Sequence, residues 1–161
     1  MANSRPERRQ ARFALLVACC LLVGCGEPTP PEQRVRDFVA HFENLAENRE
    51  WTELVDLIDG DYQDERGNDK LKAAGILRAF YLRNKSVHLL TRIESIDVSS
   101  PSYPIVTVYL AMARRPFTEE TAANLPRTNM HKLTLELAED GDSFTILSSR
   151  WEQASAGNLI F

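Results

Sequence analysis

The spacing of apolar residues changes period at Ser86, and this change restricts the chain to folds that keep most helices and strands in separate stretches. Before Ser86 the apolar residues recur every three or four positions, as on one face of a helix. Val35, Phe38, Val39, Phe42, Leu45 and Ala46 form the first stripe, with Arg34, Asp37, His41, Glu43 and Asn44 on the other side. Thr29 suits the cap of this helix, Pro30 its first position and Glu32 the third residue after the cap, and the helix is expected to end near Asn48. A second, shorter helix carries Trp51, Leu54, Val55 and Ile58 on one stripe and is stopped by Asp59-Gly60-Asp61. The polar run Tyr62-Gln63-Asp64-Glu65-Arg66-Gly67 leaves room for a short strand. A third helix is predicted from about Asp69 to Arg83, capped by Asn68 or Asp69, with Ala73, Ile76, Leu77 and Phe80 as its stripe and Tyr81 beside it.

From Ser86 onward the period is that of strands. Val87, Leu89, Thr91 and Ile93 alternate with His88, Leu90, Arg92 and Glu94, while Ile96 and Val98 fall in the opposite phase, so a bulge or bend is expected near Ser95. Pro101 and Pro104 bracket a turn. Ile105 to Ala113 is nearly all apolar, as in a strand covered on both faces or set at a subunit contact. Residues 114–127 read as a long connection. Met130 to Ala138 alternates through Leu133, Leu135 and Leu137, Glu139-Asp140-Gly141-Asp142 suits a hairpin turn, and Phe144 to Trp151 forms the last strand. Its expected faces are Phe144, Ile146 and Ser148 against Thr145, Leu147, Ser149 and Trp151. The tail ends in Leu159-Ile160-Phe161. Three helices followed by strands predict an α+β fold, with the helices packed on a strongly bent, mainly antiparallel sheet of four or five strands.

The first 24 residues read as targeting rather than fold. Arg5, Arg8, Arg9 and Arg12 precede an apolar run from Phe13 to Val23, which is short against the ~20 residues that a helix needs to cross a bilayer. The boundary Leu22-Val23-Gly24-Cys25 resembles the lipobox of bacterial lipoproteins. The resemblance implies a signal peptide over 1–24, a Cys25 carrying a diacylglycerol thioether and a further acyl chain such as palmitate, a tether over 25–31 and a domain over 32–161. One acyl chain gives marginal anchoring and two or three give stable anchoring. Gly26 stands where an aspartate commonly holds such proteins at the inner membrane, which implies the outer membrane, facing the periplasm.

The three cysteines Cys19, Cys20 and Cys25 all precede the domain, so it holds no disulfide and no thiolate metal site. Without the leader's four arginines and one glutamate, the 19 basic and 23 acidic residues fall to 15 and 22, a net charge of −7. That balance speaks against a nucleic-acid partner and against broad electrostatic adhesion to an anionic bilayer.

The stripe Val35 to Leu45, Trp51-x-x-Leu54, the Tyr62 to Gly67 turn, Leu77-x-x-Phe80, Ser86-Val87-His88 and the ending Phe144-Thr145-Ile146-Leu147 with Trp151 together resemble the NTF2-like, or SnoaL-like, family over roughly Glu32 to Glu152. The resemblance implies a cone: a bent sheet with helices over one side and a hollow mouth. It also implies a homodimer through the sheet. The family includes isomerases, cyclases, dehydratases and non-catalytic domains, so fold alone assigns no chemistry.

Candidate chemistry is sparse. His88 becomes a general base if its side chain enters the cone; otherwise it is a solvent-facing strand histidine. His41 reads as a surface residue on the polar side of the first helix, and His131, beside the start of an edge-like strand, as structural or exposed. The three histidines have no metal-like spacing, and no metal or other cofactor is expected. Asp59, Asp61 and Asp64 form the densest carboxylate group, and two close carboxylates can raise one pKa and supply an acid, although a solvated loop that uses Asp as stop signals is the preferred reading. Tyr62, Tyr81, Tyr109, His88 and Trp151 could line a ligand cavity, while a packed cone is the preferred expectation. The first functional expectation is therefore a membrane-anchored, non-catalytic envelope lipoprotein that binds an unidentified envelope protein or a small apolar ligand. The alternative is an isomerase or hydrolyase inside the cone, with His88, Asp61 or Asp64 as base and a tyrosine orienting the substrate.

Overall fold

The structure, a computed structural model, describes residues 29–118 and 130–155. The leader, Cys25, the start of the tether, part of the 114–127 connection and the tail Leu159-Ile160-Phe161 lie outside the described residues. The elements are α1 (Pro31–Asn48), α2 (Trp51–Asp56), β1 (Ile58–Asp64), α3 (Lys70–Arg83), β2 (His88–Asp97), β3 (Ile105–Ala113), β4 (Met130–Asp140) and β5 (Ser143–Gln153). The five strands form one mixed sheet in the order β1-β5-β4-β3-β2. All neighbours are antiparallel except β1 and β5, which run parallel.

The helical period of α1 buries Val35, Phe38 and Val39 against the concave face of the sheet, where Val106, Val108, Leu133, Leu135, Leu137, Phe144 and Ile146 complete the main core. Phe144 meets Phe38 edge to face, with ring centroids 6.3 Å apart. Arg34 lies across the other side of the Phe144 ring at 4.8 Å, pairs with Glu139 at 2.7 Å and donates to the Gly141 carbonyl at 3.1 Å. One side chain thus ties the start of α1 to the β4–β5 hairpin. Gly141 at that turn has φ +59, a left-handed conformation that glycine adopts without a Cβ clash.

Several expectations are corrected. Pro31, rather than Pro30, holds the first position of α1; Pro30 sits at the cap, and no side chain, Thr29 included, caps the helix by hydrogen bonding. A proline at that first position needs no amide partner, because its missing N–H is one that the helix start leaves unsatisfied anyway. Ile58 does not continue the second helix, and Asp59-Gly60-Asp61 is not a loop: all four residues belong to β1. A strand therefore separates the second helix from the third. Trp51 and Ile76, expected on inward stripes, are exposed. β4 is flanked by β3 and β5, so His131 does not open an edge strand.

Two bulges shape the antiparallel part of the sheet, beside a further register shift between Ile58 and Gln63 where β1 pairs with β5. The β2–β3 register slips between the pairs Ile93–Val108 and Ser95–Thr107, which is the expected bend near Ser95. A second slip separates the pairs Leu137–Ile146 and Glu136–Ser148 and leaves Leu147 unopposed. An extra residue reverses the phase of everything beyond it. Ser149 therefore turns to the side of Phe144 and Ile146, and the predicted division of β5 into two faces fails there. The apolar run of β3 is covered on both faces within one chain: Tyr109 and Ala111 on the convex side pack with Leu90, Phe117, Met130 and Ala154.

Phe144 is 1% exposed and touches both the helix and the sheet. Phe144→Ala is expected to lower unfolding stability by about 3–5 kcal/mol in urea titrations, the usual cost of emptying a buried aromatic site. A loss below about 1 kcal/mol, within the range of ordinary surface changes, contradicts this packing.

Candidate functional site

The cone is hollow. A cavity of about 300 Å³ lies between α3 and the concave sheet face, so the expectation of a packed cone is replaced by an open one. Every helix and strand contributes to its wall: Phe42 from α1, Leu54 from α2, Tyr62 from β1, Leu77 and Phe80 from α3, Leu89 from β2, Leu110 from β3, Leu133 from β4 and Ile146 from β5. Such a volume accommodates a small molecule, and an apolar wall with few polar groups is usual for a ligand site.

Of the aromatic candidates, Tyr62, Tyr81 and Trp151 line the cavity, and Tyr109 lies on the convex side of the sheet instead. Tyr62 and Ser149, both in the wall, are joined by a side-chain hydrogen bond, Oη to Oγ at 2.7 Å. Burial raises the Tyr62 pKa above its ordinary value, with the Ser149 bond acting in the opposite direction and the Asp64 charge adding to the rise. The phenol is therefore neutral at physiological pH, a hydrogen-bond donor and acceptor rather than a base. Ser149 escaped the sequence reading because the bulge at Leu147 inverts its face.

Tyr81 has a different role. Its hydroxyl donates to the Ala46 carbonyl at 2.8 Å. The Arg49 guanidinium donates to the carbonyls of Tyr81, at 2.9 Å, and Asn84 and lies 5.4 Å from the centre of the Tyr81 ring. Arg49 itself ends α1 in the left-handed conformation, φ 64. A cation there meets the carbonyl ends of two helices, where the helix dipole is negative. At the opposite end of α3, Asp69 caps the helix by accepting from the Lys72 N–H at 2.9 Å, and the Lys70 ammonium donates to the Ile58 carbonyl at 2.6 Å. The cavity wall is thus clasped at both ends by polar contacts.

The proposed acid–base residues do not converge. Val87 and Leu89 face the cavity, and His88, between them, does not line it. His88 instead bonds Ser86 Oγ at 3.2 Å and lies 4.0 Å from Glu47. Its reading as a cavity base or cavity-lining residue is corrected: strand alternation puts it on the face opposite Val87 and Leu89, and theirs is the face that closes over the cavity. Asp61 is exposed and outside the cavity. Asp64 reaches the cavity wall, but its oxygens accept from the backbone N–H groups of Arg66 and Asn68 at 2.9 and 2.8 Å and from Asn68 Nδ2 at 2.7 Å. Desolvation pulls its carboxyl upward, yet the bonds from Asn68 and Arg66 and the Arg66 charge outweigh this and leave its pKa below the usual value. It stays ionised and holds a turn. Asp59 is similarly engaged: the Asp61 backbone N–H and then the Thr145 hydroxyl lower its pKa. Among the described residues no group of three or more His, Cys, Asp and Glu is placed to hold a metal ion. His131 stacks edge to face on Trp151 with ring centroids 5.7 Å apart, and burial lowers its pKa.

Burial pushes the Tyr81 pKa up to about 12 from an ordinary 10.0, with the Arg49 charge opposing. Between these values the unfolded chain has released a proton that the folded chain retains, so stability falls as pH rises. The urea midpoint is expected to hold below pH 10.0 and to decline as pH approaches about 12, and Tyr81→Phe should make that decline shallower. Equal declines in both proteins would count against the buried phenol.

No protein-family model and no curated protein sequence matches the chain. Solved structures do. A scytalone-dehydratase-like protein from Novosphingobium aromaticivorans superimposes with a TM-score of 0.62 at 10% identity, covering 77% of this chain and 84% of its own. An NTF-2 like protein of unknown function from Shewanella oneidensis gives 0.55 at 14% identity, covering 76% of this chain and 98% of its own. Bd1075 from Bdellovibrio bacteriovorus gives 0.58 at 12% identity over 76% of this chain, which spans only 40% of that protein's length. At such identities the likeness concerns the backbone, and it agrees with the resemblance carried by the sequence. The chain has the NTF2-like cone fold, α+β, with three helices on a five-stranded mixed sheet.

Proposed function

We propose that this protein is a lipid-anchored, non-catalytic binding module of the bacterial envelope, whose cone takes up a small apolar ligand. The observation that carries the reading is the cavity of about 300 Å³, walled by aliphatic and aromatic side chains, with Tyr62–Ser149 as a neutral polar pair. An apolar ligand entering it gains roughly 25 cal/mol for each Å² of apolar surface removed from water. The phenol–hydroxyl pair supplies a point of orientation for a carbonyl or hydroxyl on that ligand. The isomerase or hydrolyase alternative draws less support, since His88 and Asp61 lie outside the cavity and Asp64 is engaged in its turn.

The anchor half of the reading rests on Leu22-Val23-Gly24-Cys25 after a basic and apolar leader. It places the domain at the outer membrane, facing the periplasm.

Anilinonaphthalene sulfonate is a suitable first probe of the cavity. The full chain should bind it with one saturable site and a rise in fluorescence. Ala73→Trp, which directs an indole from α3 into the cavity, should weaken binding about tenfold or more while circular dichroism stays unchanged, the loss of roughly 1.4 kcal/mol of contact. Undiminished binding in that variant refutes the cavity as the site.

The anchor is tested separately. Cys25→Ala should move the protein from the membrane fraction to the soluble envelope fraction. The membrane-bound wild type should have the intact mass of a chain beginning at an acylated Cys25. Retention of the variant at the membrane removes the lipid from the explanation.

A further inference from the structure

Helix α3 buries little of its own surface. Leu71 is 82% exposed, Leu82 76% and Ile76 59%, while Ala73, Leu77 and Phe80 on its other side wall the cavity. Lys72, Arg78 and Arg83 share the exposed side, and Lys85 follows directly after the helix. From Lys70 to Ile93 the chain has six basic residues and no acidic one, in a protein whose overall charge is −4. None of Lys72, Arg78, Arg83 and Lys85 makes an ion pair among the described residues. The helix itself thus carries no acidic residue beyond its cap Asp69, and its exposed side presents three large aliphatic side chains to water.

We propose that α3 docks on an anionic lipid bilayer. Leu71, Ile76 and Leu82 enter the headgroup–acyl boundary, and Lys72, Arg78, Arg83 and Lys85 meet lipid phosphates. The pattern is that of an interfacial helix: aliphatic residues on the side facing the membrane, basic residues beside them and no acid between Lys70 and Arg83. Each basic group near such a surface adds attraction, and the aliphatic groups add burial that charge alone does not give. Charge complementarity selects the bilayer over a second copy of this chain, since copies meeting through α3 would oppose their own cations. The clasps at Lys70 and Arg49 hold α3 from its ends and leave its outer side free. Ile76 is both exposed and part of the cavity wall, so docking brings one rim of the cavity to the lipid. The inference stands on the α3 surface and does not require acylation of Cys25 or a ligand in the cone.

The four lysines of the chain make the test internal. Lys72 and Lys85 belong to the proposed surface, and Lys132 lies on the convex sheet face, 3.2 Å from Glu94. The full chain is mixed with vesicles of phosphatidylcholine, or of phosphatidylcholine and phosphatidylglycerol in equal parts. It is then labelled with a water-soluble amine acetylating reagent and mapped by mass spectrometry. On the anionic vesicles Lys72 and Lys85 should be acetylated about fivefold less than on the neutral ones, with Lys132 the same on both. In the variant Lys72→Glu/Arg78→Glu/Arg83→Glu, protection of Lys85 should disappear. Equal labelling of Lys72 and Lys85 on the two vesicles overturns the proposal, whether or not the chain is held there by another segment. So does protection that grows with protein concentration in the absence of vesicles, which assigns the surface to a second copy.

Discussion

The fold depends on one burial: the apolar stripe of α1 laid across the concave side of a bent sheet. Val35, Phe38 and Val39 meet residues from β1, β3, β4 and β5, so a single helix unites strands that are distant in sequence. The sheet must curve for this to happen, and its register slips supply the extra residues that let it curve. Arg34 then fixes the angle at which the helix enters, by holding the hairpin backbone, the Glu139 carboxylate and the Phe144 ring together. An arginine suits this position because its planar, many-donor head can bond carbonyls and a carboxylate while stacking on an aromatic ring.

The hollow follows from how the third helix is attached. α1 is held by packing along its length; α3 packs Leu77, Phe80 and Tyr81 beside Leu45, Leu54 and Val87 and is pinned at its ends, through Lys70 at one and Arg49 and Tyr81 at the other. Hydrogen-bond clasps fix position without requiring that the space between be filled. The interior beneath α3 is walled but not filled, and the polar side chains Tyr62, Asp64, Tyr81 and Ser149 in its wall are each engaged in hydrogen bonds. Such an interior favours uptake of an apolar body and offers little that could move a proton.

Much of this was legible in the chain. The helical stripe of α1, the bend near Ser95, the strand spans and the hairpin at Gly141 follow from periodicity and turn chemistry, and the resemblance named the cone. The misses have specific causes. Asp59-Gly60-Asp61 has the composition of a turn, but parallel pairing with β5 supplies backbone partners that composition does not reveal. Ser149 changed faces because a bulge leaves no mark in the residue types around it. The alternation around His88 was read correctly, yet only the structure shows which of its two faces closes over the cavity. Asp59 and Asp64 looked available for chemistry because their backbone partners are invisible in a sequence. Net charge misled in another way, since a total conceals how unevenly its parts are distributed.

The parallel pairing of β1 with β5 has a consequence for how the molecule comes into being. Ile58 lies beside Ile146, so the strand made first among the five waits for the strand made last. While the chain is still growing, β1 is an unpaired edge and α1 has no hairpin to grip. Contacts between segments so far apart must overcome the entropy of closing a long loop before they return any stabilisation. Closure of the cone is therefore a late event, completed when the C-terminal hairpin arrives, and an interrupted product ending before Ser143 is an adhesive intermediate rather than a smaller version of the same protein.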